Sequence, residues 1–454
     1  MYDGYNEMWI NMCQQDGVMG TRYLNPNDIN IAAGYKIEVF MEGLNAPSSI
    51  FFTDEGEMFL ATSGYTDGNP TISHLVNDQL EVIADHFNVP LTGITYRSGD
   101  IYVAHRGMVT LIREDGSRSN IITGLPSYGD YSNSRVAFGR DDKMYFGQGT
   151  LTNSGIVGKD NQWVTQFPYA HDNPGGHILL NGQNFPSKNL LLETAIETVY
   201  TGAFSAFGEV NYPYEVRKGV TKASGSILKA NPDGTNLELV AWGLRSPAYV
   251  KFDEQGRLFA SNNGYDIRGS RPIANAPDEI HIVIPGVWYG WPDYAGGEPV
   301  TLDRFRPENS NPLEFLLTNH PGTPPRPYAI FPPGSTIIGF EFNYNSSFGP
   351  RGDIYVAEFG SARPGIYSEA LLQYLGSGHR ISRINNFTGS ISTFAINKSG
   401  FSSTITREGG FGRPVDIAFG PDGAMYVVDM GINMIENKNI LIPNTGVIWR
   451  ITRT

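Results

Sequence analysis

The sequence predicts an all-β protein, a six-bladed β-propeller with long loop insertions on one face. Three observations favour this fold: a hairpin-like pattern recurs six times, 53 glycines and 29 prolines supply many turns, and 24 tyrosines with 25 phenylalanines favour strands. Hydrophobic residues make up 40% of the 454 residues and charged residues 17%, so the chain can bury a core. We expect a single propeller domain over residues 35–454, after an N-terminal extension over residues 1–34.

Each copy of the repeat has a small or proline-led entry, an alternating apolar strand, a turn rich in aspartate and glycine, and a second, aromatic-rich strand. This pattern predicts a β-hairpin, and a further strand pair usually follows, which gives about four strands per copy as in a propeller blade. Residues 446–451 are expected to pair with residues 35–40 and close the ring, which removes open sheet edges. The copies span residues 46–62, 91–104, 134–147, 246–260, 338–357 and 413–428.

Two long insertions, at about residues 151–240 and 264–335, interrupt the repeats. Both are rich in glycine, proline, asparagine and aromatic residues, which predicts loops and small elements, and residues 187–201 could form a helix. Long ordered loops on a rigid scaffold often carry functional sites, so the second insertion is favoured as the place of such a site. The alternative is that both insertions only cover the central channel of the predicted propeller. The aromatic residues of the second insertion could stack on a sugar or a quinone, although packing against the sheet is favoured. These aromatic residues are Trp288, Tyr289 and Trp291.

Composition excludes several function classes. A formal net charge of −13 argues against a nucleic-acid partner and against binding to anionic lipid. No stretch approaches the roughly 20 apolar residues of a membrane helix. Cys13 is the only cysteine, so an internal disulfide and a cysteine metal cluster are excluded. No signal peptide is visible, so we expect a cytoplasmic protein or one exported by a non-classical route, unless the sequence is trimmed.

Several motifs resemble those of the glucose/sorbosone dehydrogenase family, soluble propellers that bind pyrroloquinoline quinone with calcium. The resemblance extends from about residue 35 to the C-terminus. It implies an oxidoreductase that oxidises a sugar or a related alcohol with pyrroloquinoline quinone and Ca²⁺ as cofactors. The motifs lie at residues 147–155, 243–247, 262–271, 275–280, 288–292 and 412–416.

The resemblance also implies where the cofactors bind. Arg245 matches an arginine beside the quinone, and Ser246 replaces the asparagine that follows it. Arg413 matches an arginine that pairs with a quinone carboxylate, which suits a planar guanidinium. The alternative is that both arginines donate to backbone carbonyls. For calcium, the matching backbone carbonyls are those of Gly264 and Tyr265, with Asn263 beside them.

The catalytic base of the family is missing. Tyr131 occupies the position that matches the family's catalytic histidine, and Asp278 matches the aspartate that orients that histidine. A tyrosine with its ordinary pKa of about 10 is a poor base unless a nearby cation lowers that pKa. The family lysine beside the quinone also has no match near Gly360, although Arg363 could compensate. Among the eight histidines, His105 could project toward the channel, but a lone histidine is usually structural.

Three functions therefore remain open. The first is the quinone-dependent sugar dehydrogenase that the resemblance implies. The second is a propeller that has lost the redox chemistry and binds a ligand or assembles with copies of itself, as the changes at Tyr131 and Ser246 suggest. The third is a calcium-dependent, lactonase-like hydrolase. Its metal ligands would be Asn262, Asn263, Asp266 and Asp278.

Overall fold

A computed structural model describes residues 22–192, 197–361, 376–433 and 440–454. The regular secondary structure of the described residues consists almost entirely of antiparallel strands, which confirms the all-β prediction. It divides into two compact units, one formed by Met1–His105 with Ile337–Thr454 and the other by Arg106–Thr336. No helix in these described segments is long and apolar enough to cross a membrane.

Unit 1 contains three antiparallel sheets and one further hairpin. The first strands of neighbouring sheets pack against one another, and buried apolar residues around Trp449 fill the space between the sheets. Besides a 3-10 helix at Pro26–Asp28 and an α-helix at Ser403–Thr406, the described residues of unit 1 form these strands, numbered in chain order: β1 Ile29–Ile31, β2 Tyr35–Leu44, β3 Pro47–Phe52, β4 Met58–Thr62, β5 Ile72–Val76, β6 Gln79–Ala84, β7 Leu91–Arg97, β8 Asp100–His105, β26 Ile337–Phe342, β27 Ile354–Glu358, β28 Arg380–Ile384, β29 Ile391–Asn397, β30 Pro414–Phe419, β31 Met425–Asp429 and β32 Gly446–Arg453.

Strands from early and late parts of the described chain pair with one another in unit 1. Strand β32 pairs with β2, with Ile451 opposite Ile37, so the predicted pairing of residues 446–451 with 35–40 is confirmed. Strand β1 pairs with β29 and forms the fifth strand of the sheet β1-β29-β28-β27-β26. The remaining sheets have the orders β3-β4-β5-β6 and β2-β32-β31-β30, and β7 pairs with β8.

Unit 2 contains two four-stranded sheets, β11-β12-β17-β18 and β19-β20-β21-β25, together with smaller sheets from the insertions, β16-β13-β24, β14-β15 and β22-β23. Strand β11 packs against β19, and a core around Phe204, Trp242 and Trp291 lies between the insertions. Besides 3-10 helices at Gln162–Thr165 and Asp303–Phe305, its strands are β9 Met108–Ile112, β10 Arg118–Ile122, β11 Ala137–Phe138, β12 Met144–Gln148, β13 Ile178–Leu180, β14 Asn184–Lys188, β15 Thr198–Gly202, β16 Val216–Arg217, β17 Ser226–Ala230, β18 Glu238–Trp242, β19 Tyr249–Phe252, β20 Leu258–Asn262, β21 Asp278–Ile282, β22 Tyr294–Ala295, β23 Glu298–Pro299, β24 Leu317–Asn319 and β25 Ala329–Phe331.

All six predicted hairpins are present, as β3–β4, β7–β8, β11–β12, β19–β20, β26–β27 and β30–β31. The predicted helix over residues 187–201 is wrong for the described part of that segment. Strands β14 and β15 form an antiparallel hairpin there, with Lys188 opposite Thr198. Thr198, Val199 and Tyr200 are β-branched or aromatic, and they favour a strand once a partner strand is available.

Candidate active-site cleft

Arg245 follows strand β18 in unit 2, and internal partners surround its guanidinium. The side chain is only 3% exposed. Nε donates to the carbonyl of Asn153 at 3.1 Å, and Nη1 donates to the carbonyl of Asn263 at 3.2 Å. Nη2 donates to Asn153 Oδ1 at 2.8 Å and to Asp266 Oδ2 at 2.9 Å. Every nitrogen of this guanidinium therefore already donates to an oxygen of the chain.

Tyr131 lies against the same guanidinium. Arg245 Cζ is 4.5 Å from the centroid of the Tyr131 ring, and Arg245 Nη2 also donates to the Tyr131 hydroxyl. A second arginine, Arg268, donates to that hydroxyl from Nη2 at 2.9 Å. Burial nevertheless raises the pKa of Tyr131 to about 12, because desolvation outweighs the two nearby cations. Tyr131 is therefore a neutral phenol near pH 7 and is not suited to act as a base.

Arg268 connects this pair to three carboxylates. Its guanidinium lies 2.6 Å from Asp130, 2.5 Å from Asp160 and 3.1 Å from Asp266. These carboxylates and a neighbouring tyrosine raise the pKa of Arg268, although burial alone would lower it. Two guanidiniums thus face three carboxylates, a formal charge of −1. The sequence did not predict Arg268, Asp130 and Asp160 as members of the cleft. Of these, Arg268 lies within the motif at residues 262–271.

The loop after strand β20 contains a buried side-chain oxygen without a hydrogen-bond partner among the described residues. Asn263 is 9% exposed, and its Oδ1 is buried with no hydrogen-bond partner among the described residues. The next residue is Gly264, where a Cβ atom would lie 2.3 Å from the carbonyl oxygen of Pro277, so only glycine fits. The Tyr265 side chain is buried, and its hydroxyl donates to the carbonyl of Tyr294 at 3.0 Å.

Asp278 and Asn262 hold this loop from the adjacent strands. Asp278 accepts hydrogen bonds from the backbone N–H groups of Gly264 at 2.7 Å and Thr336 at 2.6 Å, and burial raises its pKa to about 7. Asn262 Oδ1 accepts the backbone N–H groups of Arg245 at 2.9 Å and Ser246 at 3.1 Å. The predicted residues Arg245, Ser246, Asn263, Gly264, Tyr265, Asp278 and Tyr131 are thus gathered in one part of unit 2.

Space beside these residues is small. A cleft lined by Arg245, Asn263 and Tyr265 measures about 250 Å³ including its open mouth, and the free space in it holds about one water molecule. The aromatic residues of the second insertion do not line a larger space. Trp288, Tyr289 and Trp291 are 4%, 6% and 4% exposed and pack in the core, as the favoured interpretation predicted.

Arg413 lies in unit 1 and is likewise surrounded by internal partners. Nε donates to Asn433 Oδ1 at 2.8 Å, and Nη1 donates to the carbonyls of Phe359 and Gly360 at 3.3 Å and of Ser361 at 2.8 Å. Burial lowers the pKa of Arg413 to about 10, which still leaves it a cation near pH 7. Like Arg245, it donates to backbone carbonyls, as the alternative interpretation stated. Cys13 and Arg363 lie outside the described residues.

No described histidine takes the place of the missing base. His105 is 3% exposed, and its Nδ1 accepts the backbone N–H of Asn88 at 3.1 Å. Burial and Arg413 lower the pKa of His379 to about 3, so this side chain is neutral. Among the described residues, no three histidine, cysteine, aspartate or glutamate side chains are placed to hold a metal ion.

Comparisons with known proteins place the chain beside sugar dehydrogenases. No family model matches it. Over 179 residues, 39% of this chain, it is 25% identical to the quinoprotein glucose dehydrogenase B of Acinetobacter calcoaceticus, and the match spans 29% of that protein's length. The chain resembles the quinone-dependent sugar dehydrogenases. The resemblance that the motifs predicted is thus confirmed.

This chain is similar in fold to several solved structures. The PQQ-bound aldose sugar dehydrogenase of Streptomyces coelicolor is 14% identical with a TM-score of 0.52, covering 93% of this chain and 99% of that one. The holo PQQ domain of pyranose dehydrogenase from Coprinopsis cinerea is 14% identical with a TM-score of 0.58, covering 96% and 99%. The calcium structure of a Trichoderma reesei AA12-family enzyme is 14% identical with a TM-score of 0.57, covering 97% and 100%.

The two cofactors of the sugar dehydrogenases fit these residues unequally. For a hard cation the loop offers Asn263 Oδ1, which is buried and has no hydrogen-bond donor among the described residues, whereas the Asn263 carbonyl already accepts from Arg245. An anionic quinone does not fit the arrangement at Arg245. Each guanidinium nitrogen there already has an acceptor, and the surrounding side chains carry a formal charge of −1.

Proposed function

We propose that residues 35–454 form a single six-bladed β-propeller, with insertions at about 151–240 and 264–335. The support comes from six antiparallel hairpins, each at the start of one repeat, and from the pairing of strand β32 with β2. In a propeller, such pairing of the chain ends joins the first and last strands in one blade and leaves only short, protected edges.

We propose that this propeller binds a sugar or a related alcohol and has lost quinone-dependent oxidation. The observation that carries the proposal is the contact between Arg245 and Tyr131. Tyr131 stands where the sugar dehydrogenases have their base, and its pKa of about 12 makes it unable to accept a proton near pH 7. Arg245, which matches the arginine beside the quinone, donates instead to the chain's own oxygens.

Reconstitution tests this proposal. The purified chain is mixed with pyrroloquinoline quinone and Ca²⁺, quinone binding is followed by absorbance, and dye reduction is measured with a panel of aldoses and polyols. The quinoprotein glucose dehydrogenase B of Acinetobacter calcoaceticus is the positive control. We expect no dye reduction above the protein-free rate. Sugar-dependent turnover that requires both quinone and Ca²⁺ would overturn the proposal.

The second candidate is an active sugar dehydrogenase with pyrroloquinoline quinone and Ca²⁺. Two observations favour it: the unpartnered Oδ1 of Asn263 lies in the loop matched to calcium binding, and similar structures are PQQ-bound and calcium forms. For this function Arg245 would have to exchange Asp266 and Tyr131 for the quinone, which the absorbance titration would detect. The lactonase alternative has no comparable support, because Asn262, Asp266 and Asp278 all have protein partners.

A further inference from the structure

A second, larger cleft lies in unit 2. It measures about 1220 Å³ including its open mouth, against about 250 Å³ for the cleft at Arg245. The lining residues belong to three segments of the described chain: 183–185, 270–272, and 307 together with 309–314. About 620 Å³ of this volume is free space inside the cleft, against about 10 Å³ for the cleft at Arg245. Sites for small molecules commonly measure about 300–1,000 Å³, so the second cleft has room for a ligand that the cleft at Arg245 cannot hold.

A buried ion pair holds two of these segments in place. Arg271 and Asp293 have side chains that are 1% and 0% exposed, with Nη2 3.1 Å from Oδ1. Arg271 also donates to the carbonyl of Glu314 at 2.9 Å, and the Asp293 carboxylate accepts the backbone N–H groups of Leu316 and Leu317 at 2.9 Å. The cleft is therefore formed before any ligand binds, which lowers the entropic cost of binding.

The lining is polar but carries little charge. Arg271 is the only basic residue that lines the cleft, and its partner Asp293 neutralises it. Glu314 is the only acidic residue, and its carboxylate accepts a hydrogen bond from Gln183. Without an unpaired cation in this lining, a phosphate or carboxylate ligand has no charged partner.

Several lining side chains can form hydrogen bonds to a ligand. Asn309, Ser310 and Asn311 are exposed, and their side chains have no hydrogen-bond partner among the described residues. Amides and hydroxyls both donate and accept, which matches the hydroxyl groups of a carbohydrate.

Aromatic side chains lie in the wall and beside it. Phe185 lines the cleft and is half-buried. Its neighbour Asn184 exchanges hydrogen bonds with the backbone of Asn211, at 2.9 and 2.7 Å, which places the segment of Tyr212 and Tyr214 next to this wall. The two tyrosines are 68% and 70% exposed. Exposed rings with a polar tip offer a flat apolar face to a sugar ring.

We propose that this cleft binds a neutral oligosaccharide. Its neutral amide and hydroxyl lining supplies the hydrogen bonds, and the adjoining aromatic rings supply apolar contact. The inference rests on the proposed sugar-binding function and adds its location, which is separate from the residues matched to the sugar dehydrogenase site.

Calorimetric titration with maltotriose, cellotriose and chitotriose tests the location. We expect at least one of these probes to bind saturably. Asn311→Ala and Tyr212→Ala should each weaken that binding roughly fivefold or more, because each removes about one favourable contact. Matched controls are Asn30→Ala on strand β1 and Tyr169→Ala, two exposed residues that do not line the cleft. Thermal melting of each variant confirms that it is folded.

The outcomes separate this inference from the proposed function. Saturable binding that Asn311→Ala and Tyr212→Ala leave unchanged overturns the location and leaves sugar binding standing. Failure of all three probes to bind the wild-type chain overturns the inference. Quinone-dependent dye reduction overturns the proposed function, and the calorimetric comparison still decides whether the cleft binds a sugar.

Discussion

Replacing Arg271 by methionine should destabilise the second insertion strongly. The substitution keeps an unbranched side chain but removes the guanidinium that pairs with the fully buried Asp293 carboxylate, which then keeps His320 Nε2, at 3.1 Å, as its remaining basic neighbour. Removing one partner of a buried ion pair typically costs about 3–5 kcal/mol. The carbonyls of Pro292 and Glu314, which now accept from Arg271 at 2.8 and 2.9 Å, would each add about 1 kcal/mol. We expect a loss of about 4 kcal/mol or more.

Hydrogen exchange measures this loss where it occurs. Unfolding of a chain with two compact units need not be two-state, so a global denaturation curve is a poor measure. The backbone N–H groups of Leu316 and Leu317 donate to Asp293, and their protection should fall by about a thousandfold for 4 kcal/mol. The control is Lys229→Met, which removes a partly exposed ion pair with Glu238 and should cost about 1 kcal/mol or less.

The reasoning would be refuted if Arg271→Met changed the protection of these amides by no more than the control does. The double variant Arg271→Met with Asp293→Asn sharpens the result. It removes the buried charge together with its partner, so it should restore a substantial part of the lost protection. A double variant that is less protected than Arg271→Met would show that the ion pair is not the source of the stability.

Three further predictions follow from the cleft at Arg245. Tyr131→Phe keeps the ring but removes an acceptor of two arginine donors, so hydrogen exchange of the neighbouring amides should show a loss of about 2 kcal/mol. In a difference titration of the wild-type chain against Tyr131→Phe, the phenolate absorbance of Tyr131 should not appear below about pH 11. Because burial raises the pKa of Asp278 from 3.8 to about 7, the folded chain binds the proton more tightly than the unfolded chain, and stability should fall by up to about 1.4 kcal/mol per pH unit as the pH rises between these values. Asp278→Asn should flatten that part of a melting-temperature profile, and an unchanged slope would contradict the assignment. Gly264→Ala should lower the melting temperature, because its Cβ would overlap the carbonyl of Pro277; a variant as stable as wild type would contradict this packing.

The hairpins could be predicted from the sequence because their signal is local. Each combines a period of two residues with an aspartate- and glycine-rich turn, and both features lie within about 15 residues. The insertions lack such a signal. A helix is predicted over residues 187–201, but the structure has the antiparallel pairing of β14 with β15 there. A preference for pairing with another strand is not visible in one segment alone.

The residues of the cleft at Arg245 could be predicted as a set, but their partners could not. The resemblance singles out Arg245, Asn263 and Tyr131, and in the structure Arg245 donates to the Asn263 carbonyl and to the Tyr131 hydroxyl. The carboxylates that neutralise the arginines are Asp130, Asp160 and Asp266, and they come from three separate loops. Such contacts depend on how the loops pack against one another, so no residue spacing in the sequence predicts them.

The pairing of early with late strands in unit 1 has a consequence for biosynthesis. Strands β1 and β2 precede all of unit 2 in the chain, and their partners β29 and β32 follow it. The backbone N–H and C=O groups of β1 and β2 can therefore form these hydrogen bonds only after unit 2 has been synthesised. Unit 2 is one continuous segment, Arg106–Thr336, and can fold as soon as it has been synthesised. Folding should therefore begin in unit 2 and finish when β32 pairs with β2. That pairing should be the slow step, because it closes the longest loop.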